Sequence, residues 1–247
     1  RDLNIFSGGL TKVKLTELIF PPKCLLCGKV THGEYLCNDC IEKYKTICDK
    51  PCNICGRPQA DCRCHHIDGV DTEIHVFEFD EGISRKLIYS LKHKNSRRLR
   101  EFLAIECKRA LISAITDIGG FSECVLTYVP RSRESIDEYG FDHAKELCKI
   151  ISRLTEIPMQ TLFVHGKSSQ KQKELTAQER RDNAESAYSG AMNVKAPYKV
   201  IIVDDVTTTG STISSCAKIA KALGAEYIAS LTVAFTPKKE HKRGDII

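Results

Sequence analysis

Read for its hydrophobic and polar positions, the chain alternates β-branched runs with helical apolar spacing over most of its length. Thr72 to Asp80 carries Ile74, Val76, Phe77 and Phe79 and predicts a strand, after which Gly82 opens a helix to about Lys92. Leu99 to Ile115 has the spacing of a second amphipathic helix, and Cys124 to Val129 that of a buried strand ended by Pro130. Tyr139 to Thr155 predicts a helix and Gln160 to Val164 a short strand. Ala184 to Tyr188, Lys199 to Val203 and Tyr227 to Ala234 complete the strands, with a helix from Ile213 to Leu223 between the last two. Strands alternating with helices mean an α/β fold with a mostly parallel sheet and ligands at the carboxyl ends of the strands. Upstream, Leu10, Val13, Leu15, Leu18 and Ile19 ahead of Pro21 and Pro22 suggest a short amphipathic helix stopped by proline. Lys167 to Asn183 has hardly an apolar residue, and a loop that long in a compact domain is functional or disordered.

The cysteines change this picture at the N-terminal side. Nine of the 13 lie between Cys24 and Cys64, as Cys24-x-x-Cys27, Cys37-x-x-Cys40, Cys52-x-x-Cys55, Cys62-x-Cys64 and the single Cys48. A two-residue gap lets both thiolates of a pair reach one tetrahedral ion, and Gly28 and Gly56 permit the tight turn that aims N–H groups at sulfur. Two structural Zn²⁺ sites are expected, Cys24, Cys27, Cys37, Cys40 and Cys52, Cys55, Cys62, Cys64, although interleaved ligation fits the same spacings. Cys48, His65 or His66 can replace a thiolate in the second site. A disulfide framework is disfavoured, because the chain shows no secretory pattern. A module of this size with few apolar residues takes its folding free energy from the metal. Cys107, Cys124, Cys148 and Cys216 sit within apolar patterns and read as inert packing.

With 247 residues, 42% of them hydrophobic, the chain divides into an N-terminal helix (1–22), the zinc module (23–66), the α/β domain (67–236) and a basic tail (237–247). The net charge of +5 permits an anionic partner without demanding one. No apolar stretch is long enough to span a bilayer, so a cytoplasmic protein without membrane insertion is expected.

Chemistry concentrates where the Val200–Val203 run meets the helix after it. There Asp204, Asp205, Val206, Thr207, Thr208, Thr209, Gly210, Ser211 and Thr212 form a strand–loop–helix junction, and converging N–H groups, hydroxyls and the helix N-terminus suit a phosphate. Asp204 and Asp205, the candidate catalytic pair, would repel that phosphate, and belong one sugar-length away on ribose hydroxyls or a hydrated Mg²⁺. The segment resembles the phosphoribosyl pyrophosphate (PRPP) motif of type I phosphoribosyltransferases. At the end of the preceding strand, Pro130, Arg131, Ser132 and Arg133 look like the pyrophosphate loop of the same enzymes, with two guanidiniums for a diphosphate. Glu138 to Ala144 resembles the Arg-Gly-Phe-Asn-Gln-Ala stretch of the ComF competence family, keeping Gly140 and Phe141 but carrying Tyr139, Asp142 and His143 where the family has Arg, Asn and Gln. Gln172 or Gln170, Leu175, Arg180, Arg181 and Asn183 resemble that family's flexible loop.

The order of these parts makes the chain similar to ComF proteins over nearly its whole length. That resemblance implies a type I phosphoribosyltransferase-like fold and a role in natural transformation, acting on internalised single-stranded DNA. Two function classes follow. One is Mg²⁺-assisted phosphoribosyl transfer from PRPP to an acceptor that no recognisable hood identifies. The other is non-catalytic: contact with nucleic acid, or with a helicase-like partner, through the zinc module and the cations Lys92, Lys94, Arg97, Arg98 and Arg100, with the PRPP pocket as sensor or relic.

Overall fold

The computed structural model describes residues 20–52, 57, 61–62, 66–80, 82–166 and 187–236. The predicted helix over 8–20, apart from its last residue, and the basic tail lie outside them.

The α/β expectation is met by four parallel strands, β1 (Thr72–Glu78), β2 (Cys124–Tyr128), β5 (Lys199–Thr207) and β6 (Tyr227–Phe235), in the order β1-β6-β5-β2. β5 is buried on both faces because Ile201 and Val203 point to one side and Val200 and Ile202 to the other. The first side is covered by α1 (Asn38–Cys48), α2 (Ile83–His93), α3 (Arg97–Ser113) and α6 (His143–Thr155). The second is covered by α7 (Ser211–Ala222) and an antiparallel pair, β3 (Phe163–His165) with β4 (Tyr188–Gly190). A one-turn α4 (Ile115–Ile118) leads to β2, and α5 (Arg133–Tyr139) follows it.

Three predicted boundaries are corrected. The helix expected over Tyr139 to Thr155 starts only at His143, as α6, and an unpredicted helix, α5, ends at Tyr139, because Gly140 turns left-handed at φ 80° and Asp142 caps α6 by accepting from the Lys145 N–H at 3.0 Å. α5 buries no residue, so hydrophobic periodicity had nothing to detect. β5 runs four residues beyond Val203, since Val206 and Thr207 still pair with Ala234 and Phe235; both carboxylates are therefore strand residues and not loop residues. The strands expected over Gln160 to Val164 and Ala184 to Tyr188 lie instead at Phe163–His165 and Tyr188–Gly190, where the two segments pair with each other; residues 184–186 lie outside the described set.

The unpredicted α1 ties the cysteine-rich segment to the domain. Cys40, Tyr44 and Ile47, four and three residues apart, form its buried stripe. Tyr44 packs edge-on against Phe77 of β1 and Phe102 of α3, with ring centroids 6.2 and 5.2 Å away, and donates its hydroxyl to Glu106 at 3.2 Å. Arg98 adds a second tie, donating to the Glu34 carbonyl at 2.8 Å while its guanidinium lies 5.3 Å from the Tyr35 ring centre.

Candidate functional site

The sulfurs of Cys24, Cys27, Cys37 and Cys40 lie within 4.8 Å of one another, the one such cluster among the described residues. The Cys27 and Cys37 sulfurs are 3.6 Å apart, close to the roughly 3.8 Å edge of a tetrahedron with Zn–S bonds of about 2.3 Å. Local backbone prepares this site. Gly28 is left-handed at φ 76° and its N–H returns to the Cys24 carbonyl at 3.0 Å. Burial would raise the Cys24 thiol, but N–H groups of Cys27, Cys37 and Leu26 outweigh it and lower its pKa to about 6. The donor set thus fits a structural Zn²⁺ held by four thiolates.

For the second set, Cys52 and Cys62 are buried, while Cys55 and Cys64 lie outside the described residues, as does His65. His66 is exposed. Cys48 sits on α1 beside Tyr44, and burial pushes its thiol up to about 12. The four scattered cysteines are all buried, with thiols raised by burial, as inert packing requires.

At the carboxyl end of β5, Asp204 and Asp205 are 7% and 2% exposed. Arg131 reaches from the end of β2 to place a guanidinium nitrogen 2.7 Å from Asp205 Oδ2, and Lys92 brings its ammonium to 3.5 Å of the same oxygen. Burial works against the Asp205 anion, yet these two cations hold its carboxyl below the usual range. Burial and the neighbouring Asp205 charge push Asp204 well above it. The pair is electrostatically split, one carboxylate anionic and one favouring its proton.

The loop beyond β5 opens to solvent at Thr208 and Thr209, and Thr209 and Ser211 hydroxyls lie 3.0 Å apart at the start of α7. The buried Thr207 hydroxyl has no hydrogen-bond partner among the described residues. Gly210 caps α7 at φ 79°, and a Cβ there would lie 2.8 Å from Ile67 Cγ1. Gly210→Ala is therefore expected to cost about 1–3 kcal/mol of stability by urea denaturation. An unchanged midpoint would contradict this turn.

Of the other loop, Ser132 caps α5 by accepting from the Ser135 N–H, and Arg133 begins that helix with its side chain exposed. The Arg131 N–H donates to Asp142 at 3.1 Å, so Asp142 fixes both the loop and α6. Beside it a cavity of about 930 Å³ opens, lined in part by Tyr128, Pro130, Arg131, Phe141 and Lys145. The flexible-loop residues Gln172, Leu175, Arg180, Arg181 and Asn183 lie outside the described residues.

With this geometry stand the similarities to known proteins. Residues 15–68 match the family model described as a double zinc ribbon domain. The chain is 37% identical over 92 residues to competence protein F of Haemophilus influenzae, a match covering 36% of this chain and 40% of that one. It is 25% identical over 198 residues to competence protein ComFC of Bacillus subtilis, covering 75% and 77%. Against competence protein ComFC of Streptococcus pneumoniae it is 19% identical over 233 residues, covering 85% and 99%. The chain is thus similar in sequence to the ComF competence proteins. Among solved structures, an allosteric regulatory enzyme of purine biosynthesis is 20% identical over 60% of this chain and 30% of its own, with a TM-score of 0.40, too low to add to the reading. The match to the Haemophilus ComF relative spans well under two thirds of that protein's length.

In this chain the five cations expected to face nucleic acid do not form one free patch. Lys92 is turned to Asp205, Arg97 pairs with Glu101 at 2.7 Å and Arg98 anchors the cysteine-rich segment. Arg100 donates to Asn95 at 2.6 Å and covers Phe141, leaving Lys94 exposed at the end of α2. Sequence reasoning missed Lys92 as a neighbour of the carboxylates, which only its following six residues disguised as part of a basic run. It also missed Tyr188, whose phenol is raised to about 12 by burial, with the Asp204 charge adding to the rise. Among the described residues no helix is long and apolar enough to cross a membrane.

Proposed function

We propose that this competence-related protein binds PRPP with Mg²⁺ at the carboxyl end of β5. The observation that carries the reading is the paired arrangement at Asp205, where two cations from different elements neutralise a buried carboxylate. Binding exchanges partners: ribose hydroxyls donate to Asp204 and Asp205, while Arg131 and Lys92 turn to the pyrophosphate. The 5′-phosphate takes Thr208 to Thr212 and the α7 N-terminus. Mg²⁺, when bound, neutralises charge on the pyrophosphate as it departs. The protein's own part in phosphoribosyl transfer is positioning and charge complementarity toward the leaving group. The same reading gives the chain a single-stranded DNA ligand, handled in the cytoplasm, with cations at the end of α2 next to this pocket.

Calorimetric titration of PRPP and Mg²⁺ tests the site. Micromolar binding is expected for the zinc-loaded wild type, weakened roughly 100-fold or more in Asp204→Asn with Asp205→Asn, since the Asp205 charge and the acceptor geometry of both carboxyls toward ribose are lost. No heat from folded wild-type protein rejects the reading.

A further inference from the structure

The sequence offers only Tyr89 as an aromatic side chain beside the basic run, but the fold assembles a row of rings there. α2 buries Ser84, Leu87, Ile88 and Leu91 and turns Arg85, Lys86, Tyr89 and His93 outward. Tyr89, 57% exposed, lies against the exposed His93 with centroids 4.2 Å apart and planes 33° apart. His93 meets Tyr139 of α5 at 5.2 Å, and Tyr139 meets the buried His143 of α6 edge-on at 5.5 Å. His143 stacks on Phe141 at 4.4 Å, and Arg100 of α3 covers the far ring at 5.3 Å.

The inner end of this row is fixed and the outer end is open. His143 has ring nitrogens 2.8 Å from the Lys92 carbonyl and 3.1 Å from the Phe141 carbonyl, which ties α6 to the end of α2 and to the turn after α5. The residue before His93 is Lys92, whose ammonium reaches Asp205, so the exposed rings begin at the rim of the β5 pocket. α2 contains Arg85, Lys86 and Lys92, is followed by Lys94, and has no carboxylate. Glu138, exposed on α5, marks the acidic border on the other side.

Exposed ring faces beside cations are what an unpaired base and its phosphates need: the rings take any base by stacking, and the ammonium groups take the backbone. We propose that Tyr89 and His93, backed by Tyr139, form a stacking platform for unpaired nucleobases of a single strand, with Lys86 and Lys94 pairing with its phosphates. The proposal rests on the single-strand reading above and does not depend on PRPP binding. Stacking and phosphate pairing do not engage the 2′-hydroxyl, so oligo-dT and oligo-rU of equal length are expected to bind alike, whereas duplex, with its base faces stacked away, is not.

The chain contains no tryptophan, so Tyr89→Trp introduces a single reporter at the platform. Titration of the full chain with oligo-dT of about 15 nucleotides is expected to quench this fluorescence in step with the anisotropy of a labelled strand. Tyr89→Ala and His93→Ala are each expected to weaken binding about 5- to 100-fold. Both side chains are exposed, so these variants keep the core intact. Wild-type affinity in Tyr89→Ala, or binding without quenching, overturns the platform and leaves single-strand binding to another surface. Absence of oligonucleotide binding in the wild type overturns both the platform and the single-strand reading, and leaves the PRPP titration to stand or fall separately.

Discussion

Cys27→Ser, at the exposed member of the four clustered thiols, is expected to remove one zinc ion per chain and to loosen the loops between Cys24 and Cys37 while the sheet stays folded. Structural zinc contributes on the order of 10–16 kcal/mol in small zinc modules, and there that energy is folding energy. Here it is confined to part of the segment. Cys40, Tyr44 and Ile47 belong to the same buried cluster as Ile74, Phe77 and Phe102, so α1 has an apolar anchor that survives loss of the ion. The loops are anchored more weakly, by Cys24 and Leu36 in that cluster and by the partly buried Leu25, Leu26 and Tyr35 against it. Their local turns also use N–H bonds such as Leu25 to Tyr35 at 2.9 Å and Cys24 to Lys29 at 2.8 Å, formed around the sulfurs. Metal analysis with amide exchange checks this. Fast exchange at Cys24, Leu25 and Gly28 with retained protection in α1 is the expected pattern. Unchanged zinc content, or α1 exchanging together with the loops, would show that the segment is held differently.

Tyr44→Ala is expected to destabilise the whole protein by about 3–5 kcal/mol, the range for deleting a large buried ring. Tyr44 is 1% exposed and touches aromatic rings of β1 and α3, so the cavity would open at the joint between the cysteine-rich segment and the sheet. The loss also strips Glu106 of a hydrogen-bond donor; burial already raises that carboxyl, and Arg109 at 3.2 Å would be left to support it. For a chain of this size the melting temperature should fall by roughly 6–20 °C. Tyr44→Phe separates the two contributions: it keeps the ring and loses only the hydroxyl, so most of the stability should return. An alanine variant melting within a degree or two of wild type would mean that the segment and the domain fold separately.

How far the candidate site could be read in advance depended on whether its residues are neighbours in sequence. The order Asp204, Asp205, Thr207 to Thr212 is local, and a β-branched run followed by hydroxyls and a glycine specifies strand, turn and helix without help from elsewhere. The first thiol set was legible for the same reason. Its two pairs are each closed by a short turn, and only their convergence is long-range. Lys92 and Arg131 were harder to read. Both stand in charged runs that pattern analysis assigns to solvent, and which of those cations turns inward depends on where the helix ends relative to β5.

The sequence by itself determined the alternation of strands and helices, the thiol pairs and the acidic–hydroxyl loop, because each is a pattern of spacing within one segment. Only the tertiary structure decided three further features: β5 continues through its carboxylates, α1 shares the domain's core, and aromatic rings from α2, α5 and α6 meet at one rim. The physical reason is common to all three. Strand length is fixed by the partner strand, burial by the surface opposite, and ring contact by helix packing, none of which is carried by the residues of the segment alone.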